Sequence, residues 1–241
     1  MNFRPLTRAQ GIIAALLLLC LGIAIAPAQQ PDEAAVIQKV DAAVKARLDS
    51  IEGYTVNEHY AVFRGDDEAH PAAEMSVKTT YQEKTGKSYV ILSQSGSALI
   101  QSVVLKPLLE NENRINQPGS REASWFTSAN YAMKLKSGGT ERLDGRECLI
   151  LAITPRRTAP NLIQGAIWVD AKDYSIVQIK GVASKSPSIF SGPPQMMRLY
   201  ANVSGFAQAT HARAVSSSFL FGKTIVTIDY SDYKVQLRAS R

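Results

Sequence analysis

Cys148-Leu149-Ile150-Leu151-Ala152-Ile153, then Ala166-Ile167-Trp168-Val169-Asp170, then Tyr174-Ser175-Ile176-Val177-Gln178-Ile179 are three strand-length runs of β-forming residues within Arg146–Gly181. Asp and Gly residues separate them. Asp170 and Asp173 flank a hairpin turn at Ala171-Lys172-Asp173, where Asp is favoured because its side chain bonds its own backbone. This meander decides the fold class, and the remaining predicted strands add to either side of it.

Upstream, Ile37, Val40, Val44, Leu48 and Ile51 recur at three- and four-residue spacing and predict a helix over 31–50. Asp32 and Glu33 suit its start, Lys45 and Arg47 its last turn, and Gly53 follows its end. Its polar face is less cationic than that of a membrane-surface helix, so packing on a sheet is expected. The period then changes to two. Tyr54, Val56, Tyr60 and Val62 alternate with Thr55, Asn57, His59 and Ala61, and Met75, Val77, Thr79 and Tyr81 alternate with polar residues. Lys84-Thr85-Gly86-Lys87 reads as a hairpin turn, and Ser88–Ser93 returns. Residues 98–117 break this pattern. Pro107 suits the first turn of a short helix, so two helical pieces, or one helix kinked at Pro107, are expected. Strands resume at Tyr131, Met133 and Leu135, and three more fall near 198–203, 209–221 and 224–235. About ten strands, two or three helices, no βαβ alternation and no repeat give a mainly β (α+β) chain. The expected architecture is a large, curved antiparallel sheet with helices on one face, in a single domain spanning 29–241.

The first residues read as a leader. Arg4 and Arg8 precede the uncharged apolar run Gly11–Ile25, and Ala26-Pro27-Ala28 resembles a cleavage site, which makes 1–28 a secretory signal peptide. The run is short for a membrane span; the alternative is an uncleaved anchor. Cys20 follows Leu19, where lipoprotein signals carry a small residue, so lipidation is not expected. Cleavage after Ala28 shortens 241 residues to 213 and lowers the formal charge from +6 to +4 by removing Arg4 and Arg8. Cys148 is then the remaining cysteine: a small buried hydrophobe, or less simply one half of an intermolecular disulfide. The charge excess is scattered, with no basic run interleaved with aromatics, which excludes nucleic-acid binding.

The catalytic inventory is thin. His59, His70 and His211 have no partner at metal-ligand spacing, and there is no P-loop, G-x-S-x-G or G-x-G-x-x-G, so neither enzyme, metal nor cofactor is expected. Glu110 and Glu112 read as a solvated helix face. Two loops are less bland. Pro155–Ile163 holds Arg156, Arg157, Leu162 and Ile163, and the loop over 185–197 holds Phe190, Met196 and Met197. Such residues either tuck onto the domain's own core or form the lip of an apolar cavity. Ser124-Trp125-Phe126 adds an aromatic pair in a polar loop.

The order of parts resembles the LolA-like superfamily, whose members include a periplasmic lipoprotein carrier, an outer-membrane receptor and a sigma-factor regulator. The likeness is carried by Tyr60-Ala61-Val62-Phe63-Arg64, Asn130-Tyr131, Gly145-Arg146-Glu147-Cys148, Gly165-Ala166-Ile167-Trp168-Val169-Asp170, Asp173-Tyr174-Ser175-Ile176-Val177 and Ile228-Asp229-Tyr230-Ser231-Asp232-Tyr233. It implies an open, strongly curved antiparallel half-barrel with helices covering the concave face, and an apolar cavity that takes acyl chains without chemistry. The chain departs from the carrier in lacking an Arg-Pro and basic-aromatic segment near 75–87, and no position matches the arginine that holds the carrier's lid closed. What carries over is therefore fold and lipid binding. The resemblance implies a monomeric, non-enzymatic periplasmic protein that binds a lipid or a lipidated protein. The alternative is an envelope-stress sensor that binds a protein partner. On the lipid-binding reading Trp125, Phe126, Leu162, Ile163, Phe190, Met196 and Met197 are the expected cavity residues, and Arg156 and Arg157 the expected headgroup contacts.

Overall fold

In the computed structural model, which describes residues 32–137, 140–186, 192–218 and 222–239, Asp32 caps the first helix by accepting the Ala34 N–H at 3.2 Å. The leader, its cleavage site and Phe190 lie outside the described residues. Helix α1 (Glu33–Ser50) buries Val36 and Val40, with Ile37 and Val44 packed partly buried against the same core, so the predicted stripe is widened on one side by Val36. It leads directly into β1 (Ile51–Arg64), followed by β2 (Ala73–Gln82) and β3 (Gly86–Gly96).

The helical interruption is continuous rather than kinked at Pro107. It comprises α2 (Ala98–Ile100), a π-helical turn (Gln101–Leu105) and α3 (Lys106–Ile115), with Pro107 in the first turn of α3. The irregularity falls just before the proline, where the Lys106 N–H bonds Gln101 O. After a 3₁₀ turn at Arg121–Ser124 come β4 (Tyr131–Leu135), the short β5 (Glu141–Leu143), β6 (Arg146–Pro155), β7 (Ile163–Asp170) and β8 (Ile176–Ala183). Strands β9 (Gln195–Val203), β10 (Phe206–Ser218) and β11 (Gly222–Leu237) complete the described chain.

All eleven strands form one open antiparallel sheet, in the order β3-β2-β1-β11-β10-β9-β8-β7-β6-β4, with β5 on β6. The sequence-defining meander β6–β8 therefore lies toward one edge. The first three strands join the rest of the sheet through β1 and β11, whose pairing runs from Ile51↔Leu237 to Arg64↔Thr224. Local sequence carries no sign of a pairing so distant.

Register shows which face is covered. Leu135, Leu151, Ile167, Ile179, Arg198, Ala212, Ile228, Tyr60 and Met75 are successive cross-strand partners and form one row from β4 to β2. Every member but Arg198 is apolar or aromatic. On this face Val36 and Val40 of α1 pack with Leu151, Ile167 and Ile179, while Ile100, Leu105 and Leu109 of the second helical segment pack with Tyr60, Met75 and Ile228. The neighbouring outward row reads Lys134, Ala152, Ala166, Lys180, Met197, Arg213, Thr227, Ala61 and Glu74 and is far more polar. One face buried and one face wet is the ordinary antiparallel solution.

The row beside it on the covered face contains Gly165 directly opposite Gly181. A Cβ on Gly165 would overlap the Lys180 carbonyl, and one on Gly181 would lie 2.7 Å from the Ile163 Cγ2. Glycine is required here because backbone and the Ile163 side chain occupy the space, as at tight bends of a sheet.

Candidate functional site

Arg198 interrupts the apolar row, and what it reaches defines the middle of the covered face. Its Nη2 lies 3.7 Å from Glu112 Oε1 on α3; the other Glu112 oxygen lies 3.5 Å from Lys87 Nζ on β3; and Lys87 Nζ lies 3.1 Å from Glu58 Oε1 on β1. Tyr60 donates its hydroxyl proton to the second Glu58 oxygen. The result is a chain of alternating charge, Glu58–Lys87–Glu112–Arg198, lying between the two apolar clusters and tying α3 to three strands. Glu58 and Lys87 are withdrawn from water, 2% and 7% exposed, while Glu112 and Arg198 are partly exposed.

Burial by itself would raise the Glu112 carboxyl, but the charges of Lys87 and then Arg198 outweigh it and hold the group below the usual carboxylate range. Burial likewise opposes the Lys87 ammonium, and Glu112 and Glu58 more than compensate, so its pKa is raised. Tyr60 and Tyr230, on the same face, are pushed up chiefly by burial. The geometry also reports curvature. Strands β3 and β9 are five steps apart in the sheet, roughly 24 Å if it were flat. A single carboxylate meets a cation from each because the sheet curls toward its covered face.

This cluster corrects the reading of Glu112 as solvated, and it places Lys87, the last residue of the predicted hairpin turn, at the start of β3 with its side chain buried. The signals were present. Leu105, Leu109 and Glu112 share a helical stripe, Glu58 falls among the inward positions Val56, Tyr60 and Val62, and Arg198 falls between Met196 and Tyr200. A charge in the apolar phase of an amphipathic pattern predicts a buried, paired group.

The expected cavity residues separate. Leu162 and Ile163 are buried in the cluster under α1, with Phe126 and Met196 packed partly buried against it. Phe126 stacks on Tyr131 at 5.2 Å between ring centroids. Burial pushes the Tyr131 hydroxyl up to about 12. Trp125 ends the 3₁₀ turn beside them, its carbonyl accepting from Asn130 Nδ2 at 2.9 Å. Met197 lies on the opposite face, between Lys180 and Arg213, because adjacent strand residues alternate. The two arginines also diverge: Arg156 Nε donates to Ser128 O at 2.9 Å, and Arg157 Nη2 to Ala123 O at 2.6 Å.

Two hollows flank the sheet. An open trough of about 590 Å³ crosses β6–β8 beside Ala152, Thr154, Gln164 and the exposed Val182. A smaller cleft of about 260 Å³ lies between the end of α3, the 3₁₀ turn and residues 157–161. The histidines are paired with carboxylates: His59 Nε2 is 3.3 Å from Glu74, His70 Nδ1 3.1 Å from Asp67, and His211 Nδ1 2.7 Å from Asp229. Among the described residues no three His, Cys, Asp or Glu gather as metal ligands, and no helix is long and apolar enough to cross a membrane.

No protein-family model and no curated protein matches the chain. Among solved structures, the chain is similar to a LolA superfamily protein from Nitrosomonas europaea at 14% identity, covering 85% of this chain and 93% of that one, with a TM-score of 0.45. It is also similar to a Vibrio parahaemolyticus domain named as an outer membrane lipoprotein-sorting protein, at 13% identity, 82% and 91% coverage and a TM-score of 0.47. A DUF1329 family protein from Desulfovibrio piger is similar at 13% identity, with 85% and 95% coverage and a TM-score of 0.42.

Proposed function

We propose that this protein is a non-enzymatic envelope protein, exported to the periplasm, that binds an acyl chain, either of a free lipid or of a lipidated protein. One observation carries the reading. Ser88 to Leu105 contains no charged residue, and it supplies Val90, Ile91, Leu92, Leu99 and Val103, five of the seven large apolar side chains exposed among the described residues. These residues sit on edge strand β3 and the adjoining start of the helical cover, directly outside the apolar cluster of Tyr60, Met75, Leu105 and Leu109. Exposed apolar side chains concentrated in one uncharged segment mark a ligand or partner.

In this proposal the tail enters at that uncharged edge and runs along the covered face toward Phe126, Met196, Leu162 and Ile163, with Trp125 beside them. Phe126 and Met196 are partly buried and give way first. The experiment is lipid extraction from protein purified without detergent, with identification by mass spectrometry, followed by titration with a fluorescent fatty acid. Leu99→Asp with Val103→Asp changes two exposed positions and should leave the fold intact while weakening the probe at least tenfold. Absence of co-purified lipid together with unchanged probe binding would overturn the reading.

A second reading, a stress sensor that binds a protein partner, is favoured by the unpaired side of β3. This edge can accept an extended peptide through its backbone. A neutral strand-forming peptide that binds where the fatty acid does not would reverse the order of the two.

A further inference from the structure

The smaller cleft has a chemical character of its own. Arg114 from the end of α3 and Arg157 from the loop after β6 both line it, and no Asp or Glu does. Each guanidinium makes one short bond, Arg114 Nη2 to Asn111 Oδ1 and Arg157 Nη2 to Ala123 O, both at 2.6 Å. A guanidinium carries five N–H donors, so both retain donors to spare. Ser120 and Ser124 add hydroxyls. Ser124 Oγ already accepts from Asn161 Nδ2 at 2.6 Å, which leaves its own proton free to donate. Donors therefore converge from three elements on a space with two positive charges and no counter-charge in its lining.

We propose that this cleft is a phosphate site in which Arg114 and Arg157 grip a phosphomonoester or phosphodiester group. Planar guanidinium forks match the oxygens of such a group. The three terminal oxygens of a phosphomonoester use more of this donor set than the two oxygens of a carboxylate or of a phosphodiester do. Size decides the rest. About 260 Å³ falls below the ~300–1,000 Å³ of sites that enclose a whole drug-sized ligand, so the cleft takes a head and not a lipid body. Ala159, in the same lining, belongs to the apolar cluster that holds Leu162 and Phe126. A head bound here places its tail at that cluster. The phosphate site stands by itself; the lipid source of the phosphate rests on the acyl-binding reading above. Arg157 thus keeps a headgroup role, with Arg114 rather than Arg156 as its partner.

Three probes separate the two ideas: inorganic phosphate, dihexanoyl phosphatidic acid, and dihexanoylglycerol, which has the same tails without phosphate. Titration calorimetry is run on the parent, on Arg114→Gln with Arg157→Gln, and on a charge-matched control, Lys134→Gln with Lys172→Gln. The expected result is binding of both phosphate-bearing probes by parent and control, at least tenfold weaker in the arginine variant, with dihexanoylglycerol unaffected. Binding of inorganic phosphate alone would keep the site and remove its lipid source. If all three proteins bind phosphatidic acid alike, or the control loses as much as the arginine variant, the site is wrong. Should Arg157→Gln loosen its turn, Arg114→Gln alone still decides, since its bond is to a side chain of its own helix. Loss of dihexanoylglycerol binding in the parent, with phosphate retained, would count against the acyl-binding reading only.

Discussion

Lys87 contributes one side chain to two carboxylates; removing it strands Glu58, which is 2% exposed, and leaves Glu112 with Arg198 as its remaining cation at 3.7 Å. Breaking a buried pair from one side costs about 3–5 kcal/mol. Lys87→Met should therefore lower stability by about that much in urea unfolding, and adding Glu58→Gln should recover part of the loss, because the second change removes a stranded charge. A double variant weaker than the sum of the two singles would contradict the chain of charges. The same residues set a pH signature. The folded Glu112 carboxyl lies below its ordinary value, so its contribution is complete above about pH 4.5 and is lost as pH falls through the folded value. The folded Lys87 ammonium is raised, so its contribution is complete below about pH 10.4 and is lost as pH rises further. The stability difference between the parent and Glu112→Gln should be flat from about pH 5 to 8 and shrink toward pH 3. A constant difference down to pH 3 would show that Glu112 is not held by its partners.

At the scale of the element, the two edges of the sheet are managed differently. On β4 the Leu135 N–H donates to Glu33 Oε2 of α1 at 2.9 Å, and the strand is only five residues long with Lys134 exposed. On β3 the exposed run Val90-Ile91-Leu92 carries none of the charges that usually blunt an edge. Val90→Lys with Leu92→Lys should reduce aggregation during heating and shift the melting midpoint by only a few degrees. Aggregation unchanged by these charges would mean that the edge is covered some other way. The glycine pair gives the opposite test. Gly165→Ala sets a methyl against the Lys180 carbonyl and should destabilise by roughly 1–3 kcal/mol, as overpacking does. The elements themselves were largely legible. Period-two alternation gave β1 and β2, the apolar runs gave β6–β8, and the Asp32–Arg47 pattern gave α1 to within two residues. The site was less so, because an arginine or a glutamate announces burial only when its phase among apolar neighbours is read, and because the cleft joins residues from three separate elements. Nor does alternation reveal that Met196 and Met197 part company until the strand holding them is known to begin at Gln195.

For the whole molecule, one row of cross-strand partners, crossed by Arg198, links the clusters under α1 and under α3, and an eleven-stranded sheet carries both. The expected outcome is a far-ultraviolet circular dichroism spectrum dominated by strand, and a single thermal transition seen alike by dichroism and by tryptophan fluorescence; two separated transitions would show that the clusters melt independently. The pairing of β1 with β11 has a kinetic consequence. His59 and Asp229 are cross-strand partners 170 positions apart, and in the sheet β11 is the sole link between β1–β3 and β4–β10. A nascent or refolding chain therefore holds two half-sheets whose central edges stay unpaired until β11 is delivered between them. Closing so long a loop precedes any reward from the contacts that it makes, so refolding belongs to the slow, millisecond-to-second regime of non-local β topologies. Throughout that interval the apolar face is open to any hydrophobe within reach, and the earliest molecule to occupy it meets the protein before the cover has closed.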